Sequence, residues 1–257
     1  SFTDEDGQPF AAERDWGLAV AFRDVNGDLA PDLYVCNDFS SPDRFWINDG
    51  RGRFRAVPRL AVRHTSRSSM GIDFADINHD GHDDFLLLDM LARQQARRLV
   101  HLDKEPPIPI VVGKFDDRPR YNRNTLLVSR GDGSWLEAAN YAGLEASDWS
   151  WAAAFMDVDL DGLEDVLITN GFSFDTMDID SKQRVLAIQN ARKLPTAELK
   201  RLRKHRPAWP SANAAFRNVG GLKFAPASSD WGFDHVGVSY GMALADLDND
   251  GDQDVVI

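Results

Sequence analysis

The stretch Asp246-Leu247-Asp248-Asn249-Asp250-Gly251-Asp252-Gln253-Asp254 puts oxygen-bearing side chains at its positions 1, 3, 5 and 9 and a glycine at position 6. Alternate carboxylates turned inward around a sharp bend form a cage for a hard cation. Ca²⁺ takes six to eight oxygen ligands at about 2.3 to 2.6 Å, and glycine permits the bend. The pattern occurs three more times. Asp157-Val158-Asp159-Leu160-Asp161-Gly162-Leu163-Glu164-Asp165 matches fully, and Asp76-Ile77-Asn78-His79-Asp80-Gly81-His82-Asp83-Asp84 carries Asn at position 3. Asp24-Val25-Asn26-Gly27-Asp28-Leu29-Ala30-Pro31-Asp32 has its glycine at position 4 and Leu29 at position 6, which makes it the weakest of the four. Asp-rich turns are common in solvent, but solvation alone does not require Asp at positions 1, 5 and 9 of every copy while positions 2, 7 and 8 drift.

An EF-hand would need a bidentate Glu at position 12 and a helix on each side. Position 12 is instead Val35, Leu87, Ile168 and Ile257, each inside an apolar run. The loops therefore lead into strands, and position 9 has to close the cage.

Short alternating segments precede the loops: Leu18 to Phe22, Met70 to Phe74, Trp151 to Phe155 and Tyr240 to Leu244. Alternation of period two is a strand signal, and the Gly and Ala in these segments suit close approach of neighbouring strands near the axis of a ring. The segments after the loops, Leu33 to Cys36, Phe85 to Leu88, Val166 to Thr169 and Val255 to Ile257, are apolar throughout and so are expected to be buried on both faces. A second hairpin follows in three copies: Phe45 to Phe54 around Asp49-Gly50, Leu126 to Trp135 around Gly131-Asp132-Gly133, and Phe216 to Phe224 around Gly220-Gly221. Two hairpins per repeat make a four-stranded blade, and repeated blades make a β-propeller.

The first Asp of each loop follows the previous one by 52, 81 and 89 residues, a basic unit of about fifty with two excesses. The excesses are the insertions 91–123 and 173–213, each leaving its blade between the second and third strands. The expected layout is an all-β propeller fragment of about three and a half blades with two partly helical insertions. Residues 1–15 would end a preceding blade, with blades over 16–56, 57–137 and 138–226 and a further blade starting at 227–257. Within the insertions, Leu91 to Val100, Asp178 to Ala191 and Thr196 to His205 read as helices, and Pro106-Pro107-Ile108-Pro109 as extended chain. Emerging at equivalent places in neighbouring blades, the insertions should share one face, where a partner would be sought.

The 257-residue chain has a net charge of −12. Residues 91–123 hold eight Lys/Arg against four Asp/Glu, and residues 173–213 nine against four, which leaves −21 elsewhere. Fourteen of those acids are candidate ligands, so the acidity is largely that of the loops, which repel themselves without a cation. Cys36, the single cysteine, cannot form an internal disulfide and reads as a small core residue. No run of eighteen apolar residues suggests a membrane span. The repeat pattern gives the expectation of a piece of a longer chain.

The strand, the Asp-x-Asp-x-Asp-Gly-x-x-Asp loop, the apolar strand and the aromatic-x-Asn-x-Gly-x-Gly-x-Phe hairpin together resemble the FG-GAP/VCBS repeats of integrin α-subunit propellers. Trp149-Ser150-Trp151 and Ser239-Tyr240-Gly241 resemble the cartilage acidic protein type branch of that family, found in bacterial secreted proteins. The resemblance implies a ring of usually seven blades and structural Ca²⁺ in up to four loops. The implied ligands are the side chains at positions 1, 3, 5 and 9 with the position 7 carbonyls: Asp24, Asn26, Asp28, Ala30 and Asp32; Asp76, Asn78, Asp80, His82 and Asp84; Asp157, Asp159, Asp161, Leu163 and Asp165; Asp246, Asp248, Asp250, Asp252 and Asp254. It also implies a secreted, cell-surface or periplasmic location and an extracellular protein or glycan as partner.

No nucleophile elbow, phosphate loop or zinc helix is present, and no acid-base pair stands out from the loop acids. His79 and His82 could suit a transition metal by spacing but read as exposed side chains among carboxylates that prefer a hard ion. The basic run from Arg192 to Arg206 could bind nucleic acid, anionic lipid or an acidic glycan, but it reads first as a solvated helix face, and the lack of aromatic interleaving speaks against nucleic acid. The sequence thus favours a non-enzymatic recognition or adhesion module. A lectin-like propeller with clefts lined by Trp46, Trp149 and Trp231, or a polysaccharide lyase, are the alternatives.

Overall fold

The computed structural model describes residues 1–10, 15–39, 41–101, 118–192, 194, 198, 201–202 and 206–257. Three four-stranded antiparallel meanders and the opening hairpin of a fourth form an all-β propeller arc. The first blade comprises Gly17–Arg23, Asp32–Asn37, Arg44–Asn48 and Phe54–Ala56. The second comprises Gly71–Ala75, Asp84–Leu88, Thr125–Ser129 and Trp135–Glu137, and the third Ser150–Met156, Asp165–Asn170, Ala214–Asn218 and Phe224–Pro226. Ala243–Ala245 pairs with Asp254–Val256 in the fourth. Every acidic loop is the turn between a first and a second strand.

The second strands carry the packing, because their side chains alternate between two cores. Phe85 and Leu87 join Tyr34, Phe45 and Trp135 between the first and second blades. Leu86 and Leu88 join Phe155, Val166 and Ile168 between the second and third. Burial on both faces, expected from the unbroken apolar runs, is thus divided between two neighbours. Cys36 lies fully buried in the first of these cores, where burial pushes its thiol well above the usual range.

First strands of adjacent blades run side by side at the inner edge. A Cβ at Gly71 would collide with the Trp151 carbonyl, so the glycine there is required by contact between blades. Beside it, the Asp73 carboxylate accepts the Phe155 backbone N–H of the next blade at 2.7 Å.

Residues 1–3 depart from the expected layout. Instead of ending a preceding blade, Phe2–Thr3 pairs in parallel with Phe54–Ala56 as a fifth strand on the outer edge of the first blade. Phe2 stacks on Phe54 at 5.0 Å and meets Trp46 edge-on at 5.1 Å, aromatic burial that the short flanking sequence did not reveal.

Both insertions leave where expected, at the ends of second strands opposite the acidic loops. The helix expected from Leu91 shortens to Gln95–Val100, and Ile179–Arg192 corresponds to the helix expected over Asp178 to Ala191. Of the helix expected over Thr196 to His205, the described residues are Glu198, Arg201 and Leu202, all helical, while the extended segment at Pro106 to Pro109 and most of the basic run fall outside the described residues. The insertions meet one another: Arg97 and His101 of the first reach Asp175 of the second at 3.2 and 2.8 Å. His101 packs on Trp209 with ring centroids 4.5 Å apart.

Candidate metal centres

The four loops share one backbone path. Position 4 is left-handed in each, with φ of 76° at Gly27, 59° at His79, 57° at Leu160 and 61° at Asn249. Position 6 is left-handed as well, at 68° for Leu29, 85° for Gly81, 90° for Gly162 and 99° for Gly251. The first loop therefore does not deviate in shape. Its glycine has moved to the other left-handed position, and Leu29 adopts a conformation that favours glycine.

Side chains reinforce this path. The position 1 carboxylates of Asp24, Asp76, Asp157 and Asp246 accept the position 6 amides at 2.8, 2.8, 2.9 and 3.3 Å. Those at position 5, Asp28, Asp80, Asp161 and Asp250, accept the position 7 amides of Ala30, His82, Leu163 and Asp252 at 2.9, 3.0, 2.9 and 3.2 Å. Position 9 ties the loop to its sheet. Asp32 and Asp165 each accept the position 2 amide with one oxygen, at 3.1 and 3.0 Å, and with the other the amides of Asn48 and Asn218 on the third strand, both at 2.8 Å. Asp84 accepts Ser129 at 2.7 Å in the same way. Asp254 accepts Leu247 at 2.9 Å.

Carboxylate oxygens remain over for a cation. One oxygen each of Asp157, Asp159 and Asp165 lie within 4.8 Å of one another, as do those of Asp246, Asp248 and Asp254. The first two loops have Asn26 and Asn78 at position 3, which removes one carboxylate from each. In the second loop the fully buried Asp84 takes the Ser129 amide on one oxygen, while the Ile77 amide bears on its carboxylate without a close hydrogen bond to the other oxygen. Burial pushes its carboxyl up to about 7; the amide of Ser129 opposes this, and Asp80 and Asp76 add repulsion. Burial likewise raises Asp32 and Asp165. Buried carboxylates among mutually repelling acids fit a hard divalent cation, whose charge would reverse these shifts.

Ionic contacts join adjacent loops. Arg23 pairs with Asp83, and His79 Nε2 lies 3.3 Å from Glu164. His82 turns the other way: a Cβ added at Gly131 would lie 2.7 Å from its ring nitrogen. The two histidines thus point to different neighbours and do not form a joint metal site. Arg217 lies 2.7 Å from Asp159 and stacks over Trp231 at 5.1 Å.

The sequence reading gave no role to Asn48, Ser129 and Asn218, although the repeated Asn of the second hairpin was visible. Asn48 donates to Pro31 O at 3.0 Å and accepts from Gly50 at 3.1 Å. Asn218 donates to Glu164 O at 3.2 Å and also to Ile77 O of the preceding blade's loop at 3.1 Å. The three tryptophans proposed for a lectin cleft are separated: Trp46 is buried beneath Phe2 and Phe10, Trp231 lies under Arg217, and only Trp149 borders the insertion face.

Fold and loops together define a β-propeller built on acidic hairpin turns. Residues 24–87 and 110–168, which contain the first three loops, match the family model of the FG-GAP-like repeat. A search of curated proteins returned no match.

Proposed function

We propose that the chain is a calcium-stabilised recognition or adhesion module working outside the cell, with Ca²⁺ held in up to four hairpin loops by the position 1, 3, 5 and 9 side chains and the position 7 carbonyls. The ion would supply charge neutralisation and fixed loop geometry, not catalysis, and the chain is not proposed to be an enzyme. The observation that carries this reading is that carboxylate oxygens of the third loop, and likewise of the fourth, gather within 4.8 Å of one another in loops that share their backbone path with the other two. Among the described residues no helix is long and apolar enough to cross a membrane. FG-GAP-like repeats are typical of extracellular recognition modules, and the resemblance of Trp149-Ser150-Trp151 to the cartilage acidic protein type branch supports a secreted setting.

Titration of Ca²⁺ into chelator-stripped protein tests the first part. A site filled at 100 times its dissociation constant adds about 2.7 kcal/mol of stability. Calcium should therefore raise the melting temperature clearly, and Asp161→Ala should reduce the gain more than Asp28→Ala, since the third loop has four side-chain carboxylates in its cage and the first has three. Superimposable melting curves in calcium and in chelator would overturn the proposal. Recognition is tested separately, by calcium-dependent capture of an extracellular protein that is lost when residues 173–213 are excised.

A further inference from the structure

A cleft of about 580 Å³ opens on the insertion face, at the ends of the second strands away from the acidic loops. Small-ligand pockets typically measure roughly 300–1,000 Å³. Its walls come from distant parts of the chain: Ser68 before the second blade, His101 in the first insertion, Trp149 before the third blade, and Phe172, Lys182 and Arg206 in or beside the second insertion.

Three polar atoms on these walls lack protein partners among the described residues although they are shielded from solvent: His101 Nδ1, Trp149 Nε1 and Arg206 Nε. Leaving a buried polar group unsatisfied typically costs about 1–3 kcal/mol, so three on one cleft call for an occupant. Their chemistry specifies what it must offer. Asp175 is buried, which alone would raise its carboxyl, but the hydrogen bond and charge of His101 outweigh burial and hold it below its usual range. An ionised carboxylate only accepts, so His101 Nε2 carries the proton in the 2.8 Å bond to Asp175. A hydroxyl, which both donates and accepts, can pair with the remaining Nδ1 whether or not that nitrogen carries a proton. Trp149 Nε1–H and Arg206 Nε–H ask for acceptors, and Lys182 adds a positive charge. Phe172, half-buried and stacked on the buried Trp149 at 4.5 Å and 8° apart in plane, gives the cleft an apolar wall against which a sugar ring can lie.

We propose that this cleft binds an acidic sugar, a hexuronate, either free or as the end of a polyuronate chain. Its carboxylate faces Lys182 and Arg206, a hydroxyl pairs with His101 Nδ1, and the ring lies against Phe172. The site goes beyond the calcium reading and does not depend on it, since the loops sit at the opposite ends of the strands.

Isothermal titration of the whole chain in calcium, with D-glucuronate, D-galacturonate and tri-galacturonate as probes, tests the proposal. Glucose and benzoate serve as controls, each lacking one of the two required features. At least one uronate should bind saturably, and both controls at least roughly tenfold more weakly, as expected for loss of a charged or a buried hydrogen bond. Tighter binding of the trimer than of the monomers identifies a chain end as the natural occupant, and equal binding identifies the free sugar acid. Lys182→Ala, at an exposed helical position, should weaken binding with near-wild-type melting, and Trp149→Phe, which removes the N–H and trims a buried ring, should weaken binding by a similar factor when measured well below its lowered melting temperature. No saturable binding of any uronate, equal binding of glucose, or full affinity in both variants would overturn the proposal.

Discussion

Leu29 shows how a single residue can hide a shared conformation. It is 92% exposed and takes φ of 68° where the other loops use glycine. A left-handed residue with a Cβ costs roughly 1–2 kcal/mol, and no burial offsets it. Leu29→Gly should therefore raise stability by about 1 kcal/mol in saturating calcium, read by denaturant melts; no change would mean that the strain is relieved elsewhere. Asp43 offers a second single-residue test. It is buried, accepts the Asn37 amide at 2.8 Å, and bonds Tyr34 and Ser69 hydroxyls at 3.0 and 2.6 Å. Burial nevertheless pushes its carboxyl up to about 6. In the next two blades the equivalent acceptors are Asn124 and Asn213, which bond Asp89 N and Asn170 N at 2.8 and 2.9 Å. A raised folded-state pKa means that the native state holds its proton more tightly than the unfolded chain, so stability falls as pH climbs from about 4 to about 6 and then levels. Asp43→Asn removes that loss. Its advantage over wild type should reach the order of 3 kcal/mol above pH 6 and shrink to nothing toward pH 4, and a pH-independent difference would refute this assignment.

Among the elements, the first strands depend on small residues only where another blade presses on them. Gly71 faces the Trp151 backbone, whose carbonyl carbon would lie 3.3 Å from a new Cβ, while at the same register Gly241 has nothing within 4 Å. Gly71→Val should cost about 2 kcal/mol or more through overpacking, and Gly241→Ala should stay within about 0.5 kcal/mol; equal costs at the two sites would argue against contact between the blades. The sequence revealed the small residues but not which of them were pressed. Period and composition locate a strand, whereas its neighbour is set by closure of the ring. The same limit applies to the one-turn helix Ala139–Ala142, whose Gly143 is left-handed at 82°, and to the parallel strand Phe2–Thr3. Both are held by tertiary packing and too short for any period to register.

For the molecule as a whole, the legible features were those that recur. Four acidic turns, alternating strands before them and apolar strands after them determine the blades, and the departures from the repeat length point to extra chain between second and third strands. The cleft was not legible, because its walls are dispersed from Ser68 to Arg206 and no local spacing brings them together. Cooperativity is a further property at this scale. Leu86 and Leu87 are adjacent in sequence but belong to different cores, so Leu86→Ala and Leu87→Ala should each cost roughly 2–5 kcal/mol and still leave one thermal transition. Two resolved steps in either variant would mean that the blades unfold separately. The alternation of that strand also bears on how such a chain can diverge. Segments grafted beyond its end leave every side chain facing its own neighbour, but one residue added within it would turn each side chain toward the wrong blade. Lineages are accordingly free to elaborate the rim that carries the insertions, while the strands beneath keep an inherited length.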